Sequence, residues 1–174
     1  MTHAHDGNLL GALGLALADR LGEAAERAGG PSAATALVAL YGTRAGATID
    51  GLARVTGLSH SGAVRLVDRL EADGLVDRRR GADQRSVALY LTPAGRRSVR
   101  RILAERQSAM HSLVALLTGD QRATMIDLAH RLLDQLASGP GAEARVCRLC
   151  DLDACGRSRG RCPVAPARSR RAVL

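Results

Sequence analysis

The fold of this chain is decided by residues 52–95, which consist of LARVTGLSHSGAVRLVDRLEADGLVDRRRGADQRSVALYLTPAG. Two helical patterns are separated here by Gly57-Leu58-Ser59, and two short β-like runs follow at residues 75–80 and 86–91. Alternating apolar positions around a glycine-containing turn are typical of a β-hairpin. The segment therefore predicts two helices joined by a tight turn and followed by a hairpin, which is a winged helix-turn-helix.

The second of these helices, predicted over residues 60–72, has the composition of a helix that contacts DNA. Its apolar positions are Ala63, Val64, Leu66, Val67 and Leu70, and its outward positions include Ser61, Gly62, Arg65, Asp68 and Arg69. A major-groove helix needs an apolar anchoring face and small or polar residues near its N-terminus, where base edges are approached. We predict DNA contacts from Ser59, His60, Ser61, Arg65 and Arg69, although the same pattern also fits a solvated helix of a small bundle.

The predicted hairpin adds four arginines to this surface, at positions 78, 79, 80 and 85. A hairpin of this kind can reach phosphates or a narrow minor groove. The charge of the chain is consistent with a nucleic-acid partner, because the formal net charge is +8 and every lysine or arginine position is arginine. Biased codon usage would also replace lysine by arginine everywhere, so the position of the arginines carries the argument.

The rest of the chain is predicted to be helical, which makes the fold mainly α with a small β-wing. Spacings of three and four residues predict a first helix carrying Leu10, Leu13, Leu17, Leu21 and Ala24, and Gly29-Gly30-Pro31 ends it. The expected caps of the later helices are Ser32, Thr48, Ser59, Thr92 and Thr118, the last in a capping box with Gln121. The fifth helix is expected to run to about Leu117, and residues 139–141 are expected to end the regular structure.

This pattern divides the chain into four parts. We expect an N-terminal dimerisation helix at 1–30, a winged helix-turn-helix at 31–95, C-terminal dimerisation helices at 96–138 and a basic, cysteine-rich tail at 139–174. No stretch is long and apolar enough to cross a membrane. Residues 9–18 imitate a signal-peptide core, but no basic region precedes them. The expected location is the cytoplasm, and no phosphate loop or nucleophile elbow indicates an enzyme.

The segment LAR…GLSHSGAVRLVDRLEADGLV, with DQR…LTPAG after it, resembles the MarR family of winged helix-turn-helix regulators. The resemblance covers about residues 31–138 and implies a homodimer whose first, fifth and sixth helices form the interface. It implies that residues 60–69 enter a major groove, that the wing enters the flanking minor groove, and that Asp83 orients Arg85 toward DNA. A plain turn-forming role for Asp83 remains the alternative. Double-stranded DNA with inverted half-sites ~34 Å apart is the expected partner, and members of the family often bind small aromatic acids.

All four cysteines lie in the tail, at Cys147, Cys150, Cys155 and Cys162. Clustered cysteines with a C-x-x-C pair are typical of metal or cluster sites in intracellular proteins. Three interpretations stay open: a Zn²⁺ site, an iron–sulfur cluster, since the final Cys-Pro is similar to ferredoxins, and a reversible disulfide switch. Surrounding arginines would offset the charge of four thiolates.

The leading functional hypothesis is a dimeric transcription regulator, a repressor, whose DNA affinity responds to the cysteine site. In that hypothesis the tail packs on the dimerisation helices and changes the spacing of the two recognition helices. The alternative from another class is a small redox or electron-transfer protein that uses the four cysteines. No βαβ pattern surrounds them, however, and most of the chain would then lack a purpose.

Overall fold

The computed structural model describes residues 2–26, 29–43, 46–81, 87–138 and 141–164. The architecture is mainly helical with one small antiparallel sheet, as the sequence predicted. In chain order the elements are α1 (Thr2–Glu26), α2 (Pro31–Tyr41), α3 (Ile49–Thr56), α4 (His60–Ala72), β1 (Val76–Arg80), β2 (Val87–Leu91), α5 (Pro93–Val114), α6 (Gly119–Leu136), α7 (Ala142–Val146) and a 3₁₀ turn at Arg157–Arg159. Among the described residues, no helix combines the length and the apolar character that crossing a bilayer requires.

Side-chain caps begin most of these helices, and four of the five predicted caps are confirmed. The side-chain oxygens of Thr48, Ser59, Thr92 and Thr118 each accept a hydrogen bond from a backbone N–H in the first turn. Such a bond satisfies one of the donors that a helix leaves unpaired at its N-terminus. The predicted cap at Ser32 is wrong: Gly30 occupies that position with φ 100°, and Pro31 takes the first helical turn.

The core is formed by helices packed around α2. α2 buries most of its residues and contacts α1, α3, α4, α5 and β2. The largest fully buried side chains are aliphatic, namely Leu37, Leu52, Leu66, Leu70, Leu89, Val67, Val76 and Val99. With no phenylalanine or tryptophan in the chain, the stability of this core depends on close aliphatic packing.

The wing is an antiparallel ribbon attached to the helix-turn-helix. β1 and β2 pair in a register that runs from Val76 opposite Leu91 to Arg80 opposite Val87. A further backbone bridge joins β2 to the loop before α3: the Ala47 N–H donates to the Leu89 carbonyl at 3.1 Å, and the Leu89 N–H donates back at 2.8 Å. This bridge, which sequence patterns did not indicate, fixes the wing beside the start of α3.

Two predicted boundaries are corrected. α5 ends at Val114 instead of Leu117, because the chain turns at residues 115–117 before the Thr118 capping box. Regular structure also continues after Gly141, where α7 and the later 3₁₀ turn organise a segment that was expected to be irregular. Here we call residues 141–164 the cysteine segment.

Gly95 marks the closest approach between the wing and α5. A Cβ atom at this position would lie 2.1 Å from the carbonyl oxygen of Leu75 and 3.0 Å from Leu91 Cδ2. The same carbonyl accepts a hydrogen bond from the Thr92 N–H at 3.1 Å, so the Leu75 backbone is held in place. Only glycine fits between the first turn of α5 and the residue that precedes β1.

We therefore expect Gly95→Ala to lower the free energy of unfolding by about 1–3 kcal/mol, the usual cost of overpacking. Thermal and urea unfolding followed by circular dichroism would measure the loss. Gly119→Ala is the matched control, because a Cβ atom at Gly119 meets nothing within 4 Å. Equal stability of the two variants would contradict the close approach at Gly95.

Candidate nucleic-acid interface and cysteine segment

α4 separates its residues into a buried face and an exposed face, as a recognition helix requires. Ala63, Leu66, Val67 and Leu70 are buried, whereas the predicted contact residues Ser59, His60, Ser61, Arg65 and Arg69 are all exposed. The turn before α4 is tight because Gly57 adopts a left-handed conformation with φ 72°. Backbone N–H groups at a helix N-terminus favour anions, so this end of α4 suits a DNA phosphate.

The N-terminus of α4 is ordered by two local interactions. Ser59 Oγ accepts a hydrogen bond from the Gly62 N–H at 3.1 Å and lies 3.2 Å from Ser61 Oγ. His60 Nδ1 lies 2.7 Å from Asp50 Oδ1 of α3. Asp50 thus holds the imidazole of the first residue of α4. The sequence did not indicate the role of Asp50, because ten residues separate it from His60. Its place in the first turn of α3 was the only feature that set it apart.

Arg78 connects the wing to the recognition helix. One guanidinium nitrogen of Arg78 donates to Asp68 Oδ1 at 2.5 Å, and the other donates to a carboxylate oxygen of Glu71. Hydrogen bonding to Asp68 raises the pKa of Arg78 above its ordinary value. The structure therefore places Arg78, one of the predicted DNA contacts, in ion pairs that orient β1 against α4.

Arg79 and Arg80 follow on the same strand and are exposed. The Arg79 guanidinium lies 3.1 Å from Asp77 Oδ2 and 5.2 Å from the centre of the Tyr90 ring. These contacts restrict the side chain of Arg79 beside the ribbon. The predicted contacts Asp83 and Arg85 lie outside the described residues, so their roles stay predictions.

The cysteine segment brings its four thiols into one short stretch of folded chain. All four cysteines are free and half-buried. The Cys150 N–H donates to the Cys147 carbonyl at 2.9 Å and forms the turn of the C-x-x-C pair, and Cys155 N–H donates to Asp151 at 2.9 Å. The left-handed Gly156 then allows the Arg161 N–H to bond back to its carbonyl at 3.0 Å, which returns the chain toward Cys162.

Neighbouring groups, including the other cysteines, shift the pKa values of three of these thiols. A hydrogen bond from Cys147, supported by the charges of Arg106 and Arg157, lowers the pKa of Cys150 to about 6 although burial opposes this. The same hydrogen bond, then burial and the proximity of Cys150 and Cys162, raises the pKa of Cys147. Burial is the largest cause of the raised pKa of Cys155.

The four thiols lie in one folded segment, but they do not surround a single point. Within the described residues, no group of three or more His, Cys, Asp or Glu side chains has the spacing of a metal site. Arg157 donates to Glu143 Oε1 at 2.7 Å and thereby ties the 3₁₀ turn to α7. Arg106 of α5 is half-buried near Cys150. Sequence reasoning identified the four cysteines and the basic residues around them, but not Arg106 or Glu143.

The cysteine segment packs against the DNA-binding part of the chain as well as against α6. Leu149, between the two cysteines of the C-x-x-C pair, packs on the hydrophobic core. Leu152 covers Gly42 at the end of α2: a Cβ atom at Gly42 would lie 2.7 Å from Leu152 Cδ1. α7 contacts α3 and α6. The expectation that the tail packs on the dimerisation helices is thus incomplete, because part of its contact is with α2 and α3.

A helix-turn-helix, an exposed second helix and an arginine-bearing ribbon together define the class of fold, which is a winged helix-turn-helix. Residues 30–86 match the model described as the MarR family. Matched relatives are named as transcriptional repressors or regulators, which agrees with the prediction that the chain is not an enzyme.

Three similar proteins illustrate the match. The transcriptional repressor MprA of Escherichia coli K12 is 30% identical over 81 residues, which are 46% of this chain and 46% of MprA, so the chain spans about half the length of the curated relatives it matches. YusO from Bacillus subtilis is 22% identical with a TM-score of 0.62, covering 78% of this chain and 95% of YusO. CouR from Rhodococcus jostii RHA1, bound to p-coumaroyl-CoA, is 26% identical with a TM-score of 0.57, covering 72% of this chain and 90% of CouR.

Proposed function

We propose that this chain is a cytoplasmic transcription repressor that binds an inverted-repeat operator as a homodimer. The observation that carries the proposal is α4, whose apolar face is anchored in the core while Ser61, Arg65 and Arg69 stay exposed. Such a helix can enter a major groove and read base edges there. MprA, which matches at 30% identity, is named a transcriptional repressor and supports the direction of regulation.

The helices that flank the DNA-binding domain support a homodimer. No residue of α6 is buried, although the helix carries several large apolar side chains. Leu128, Leu132 and Leu136 are 53%, 47% and 66% exposed. α1 exposes Leu9, Leu10 and Leu13 to a similar extent. Contiguous apolar surface of this kind marks an interaction site. A second copy of the chain, related by one twofold axis, would cover the apolar faces of both helices. The same twofold symmetry matches an inverted-repeat operator.

The wing supplies the second contact in this proposal. Arg80 and Arg79 lie on β1, which the ion pairs of Arg78 hold against α4. We propose that Arg79 and Arg80 contact phosphates, that Arg85 with Asp83 acts at the flanking minor groove, and that Arg78 positions the ribbon. Contacts to phosphate fix the register on DNA and contacts in the grooves give specificity.

A small molecule is the remaining proposed partner. CouR is a related protein whose structure contains p-coumaroyl-CoA. This supports an organic effector for the present chain as well, whose binding would release the operator. Its chemical identity does not follow from the residues described here.

A binding assay against the DNA upstream of the gene for this protein tests the main proposal. Because arginine–phosphate contacts release counterions, we expect a specific complex whose affinity falls ~10³–10⁵-fold between 50 and 200 mM salt if six to ten phosphates are contacted. Fluorescence anisotropy with labelled operator and with a scrambled duplex of equal length would measure both affinity and specificity. The alternative, a small electron carrier, predicts no specific complex. Equal affinity for the two duplexes would overturn the proposal.

A further inference from the structure

The four thiols of the cysteine segment lie in one folded stretch of chain, outside α4 and the wing. They are the only cysteines in the chain. All of them are half-buried, and none forms a disulfide. Turns closed by backbone hydrogen bonds separate them along the chain. Thiolates are the preferred ligands of zinc and of iron–sulfur clusters. A disulfide switch would need only two of them, whereas a metal centre uses all four.

The charges around the thiols favour a negatively charged centre. Four thiolates on a divalent metal carry a net charge of about −2. Arg106 of α5 and Arg157 of the 3₁₀ turn both act on Cys150. Arg145 precedes the C-x-x-C pair and Arg148 lies within it, and the Arg148 guanidinium donates to the Arg145 carbonyl at 2.6 Å. These guanidinium groups come from two parts of the fold and would offset part of the charge of a four-thiolate centre.

The same segment is attached directly to the helix-turn-helix. Leu149 and Leu152 lie between cysteines in sequence, and they pack on the core and on Gly42 respectively. Gly42 ends α2, and α7 contacts α3. A change in the positions of the cysteines therefore moves side chains that rest on α2, the helix that packs against both α3 and α4.

We propose that Cys147, Cys150, Cys155 and Cys162 bind a thiophilic metal centre, either Zn²⁺ or an iron–sulfur cluster, and that its occupancy controls operator affinity through the contact of Leu152 with Gly42. Each cysteine loses its proton to solvent as it ligates. Within the described residues no three such side chains have the spacing of a metal site, so ligation would require the four sulfurs to move closer together. Such a movement would shift Leu149 and Leu152, which already contact the core and Gly42. The coupling rests on the proposed DNA-binding function, whereas the metal site stands without it.

The first experiment concerns the site alone. The full chain is purified without oxygen, and its zinc, iron, acid-labile sulfide and visible spectrum are measured. We expect one centre per chain: stoichiometric zinc without colour, or iron and sulfide with broad visible absorption. Cys150→Ser should lose it while keeping the wild-type helical circular dichroism. A metal-free protein with four titratable thiols, or with disulfides, would overturn the metal site and leave the DNA-binding proposal intact.

The second experiment concerns the coupling. Operator affinity is measured before and after removal of the metal by a chelator, and we expect a change of at least tenfold in the wild type. Gly42→Ala, which displaces Leu152 from the other side of the contact, and Leu152→Ala should keep the metal but lose most of this change. Leu116→Ala is the matched control, because Leu116 is 78% exposed and lies outside the segment. An unchanged wild-type affinity would overturn the coupling; a metal-loaded protein without any specific complex would instead overturn the DNA-binding proposal.

Discussion

Replacing Leu128 and Leu132 of α6 by arginine should dissociate the proposed homodimer into monomers and weaken the proposed operator complex more than 100-fold. The two leucines are one turn apart on the same face and are 53% and 47% exposed in the single chain. In a dimer, the arginines would be buried without partners at the centre of an apolar interface, which costs several kcal/mol. A monomer holds only one half-site, so the effective concentration of the second recognition helix is lost.

Sedimentation analysis of the oligomeric state and operator binding should change together in this variant. The matched control carries Ala123→Arg and His130→Arg, which add two arginines to the opposite face of α6. Both positions are exposed in the single chain. The control should stay dimeric and keep wild-type affinity. A dimeric L128R/L132R protein would show that α6 is not the interface. Another apolar face, such as that of α1, would then form it.

Arg65→Ala should weaken operator binding about 10- to 100-fold, which corresponds to ~1–3 kcal/mol for a side chain that contacts a base edge. Arg65 is exposed on α4, one turn after Ser61, on the side opposite the buried residues Leu66 and Leu70. The loss should be much smaller on a non-specific duplex, because phosphate contacts made elsewhere remain. The ratio of the two affinities is therefore the quantity to measure.

The control for this substitution is Arg100→Ala. Arg100 is an exposed arginine of α5, outside the helix-turn-helix and the wing. Both variants lose one positive charge, so long-range attraction to DNA falls equally. If the two variants lose the same factor on operator and on non-specific DNA, Arg65 contributes only charge and α4 does not read bases through it.

The helical framework was predictable because its signals are local. Thr48, Ser59, Thr92 and Thr118 cap helices where the sequence predicted caps, and the capping box at Thr118 and Gln121 has both of its hydrogen bonds. Each of these interactions spans three residues. The failed cap at Ser32 follows from the same local competition, since Pro31 suits the first turn of a helix and moves the boundary to Gly30.

Interactions between distant residues were not predictable in this way. The pairing of Arg78 with Asp68 and Glu71 spans ten and seven residues, and no sequence pattern indicated it. The pattern of arginines in the wing is identical whether a guanidinium faces DNA or a neighbouring carboxylate. Only the distance between β1 and α4 distinguishes the two.

The sequence alone determined where most of the helices and both strands lie, which face of each is apolar, and that DNA and four thiols are the chemistry to consider. The tertiary structure decided which of these features act on each other. It placed Asp50 on His60, the Leu89 backbone on Ala47, and Leu152 on Gly42. The reason is physical: capping and periodicity depend on neighbours within one helical turn, whereas these contacts exist only after aliphatic side chains from α2, α4 and α5 have packed into one core.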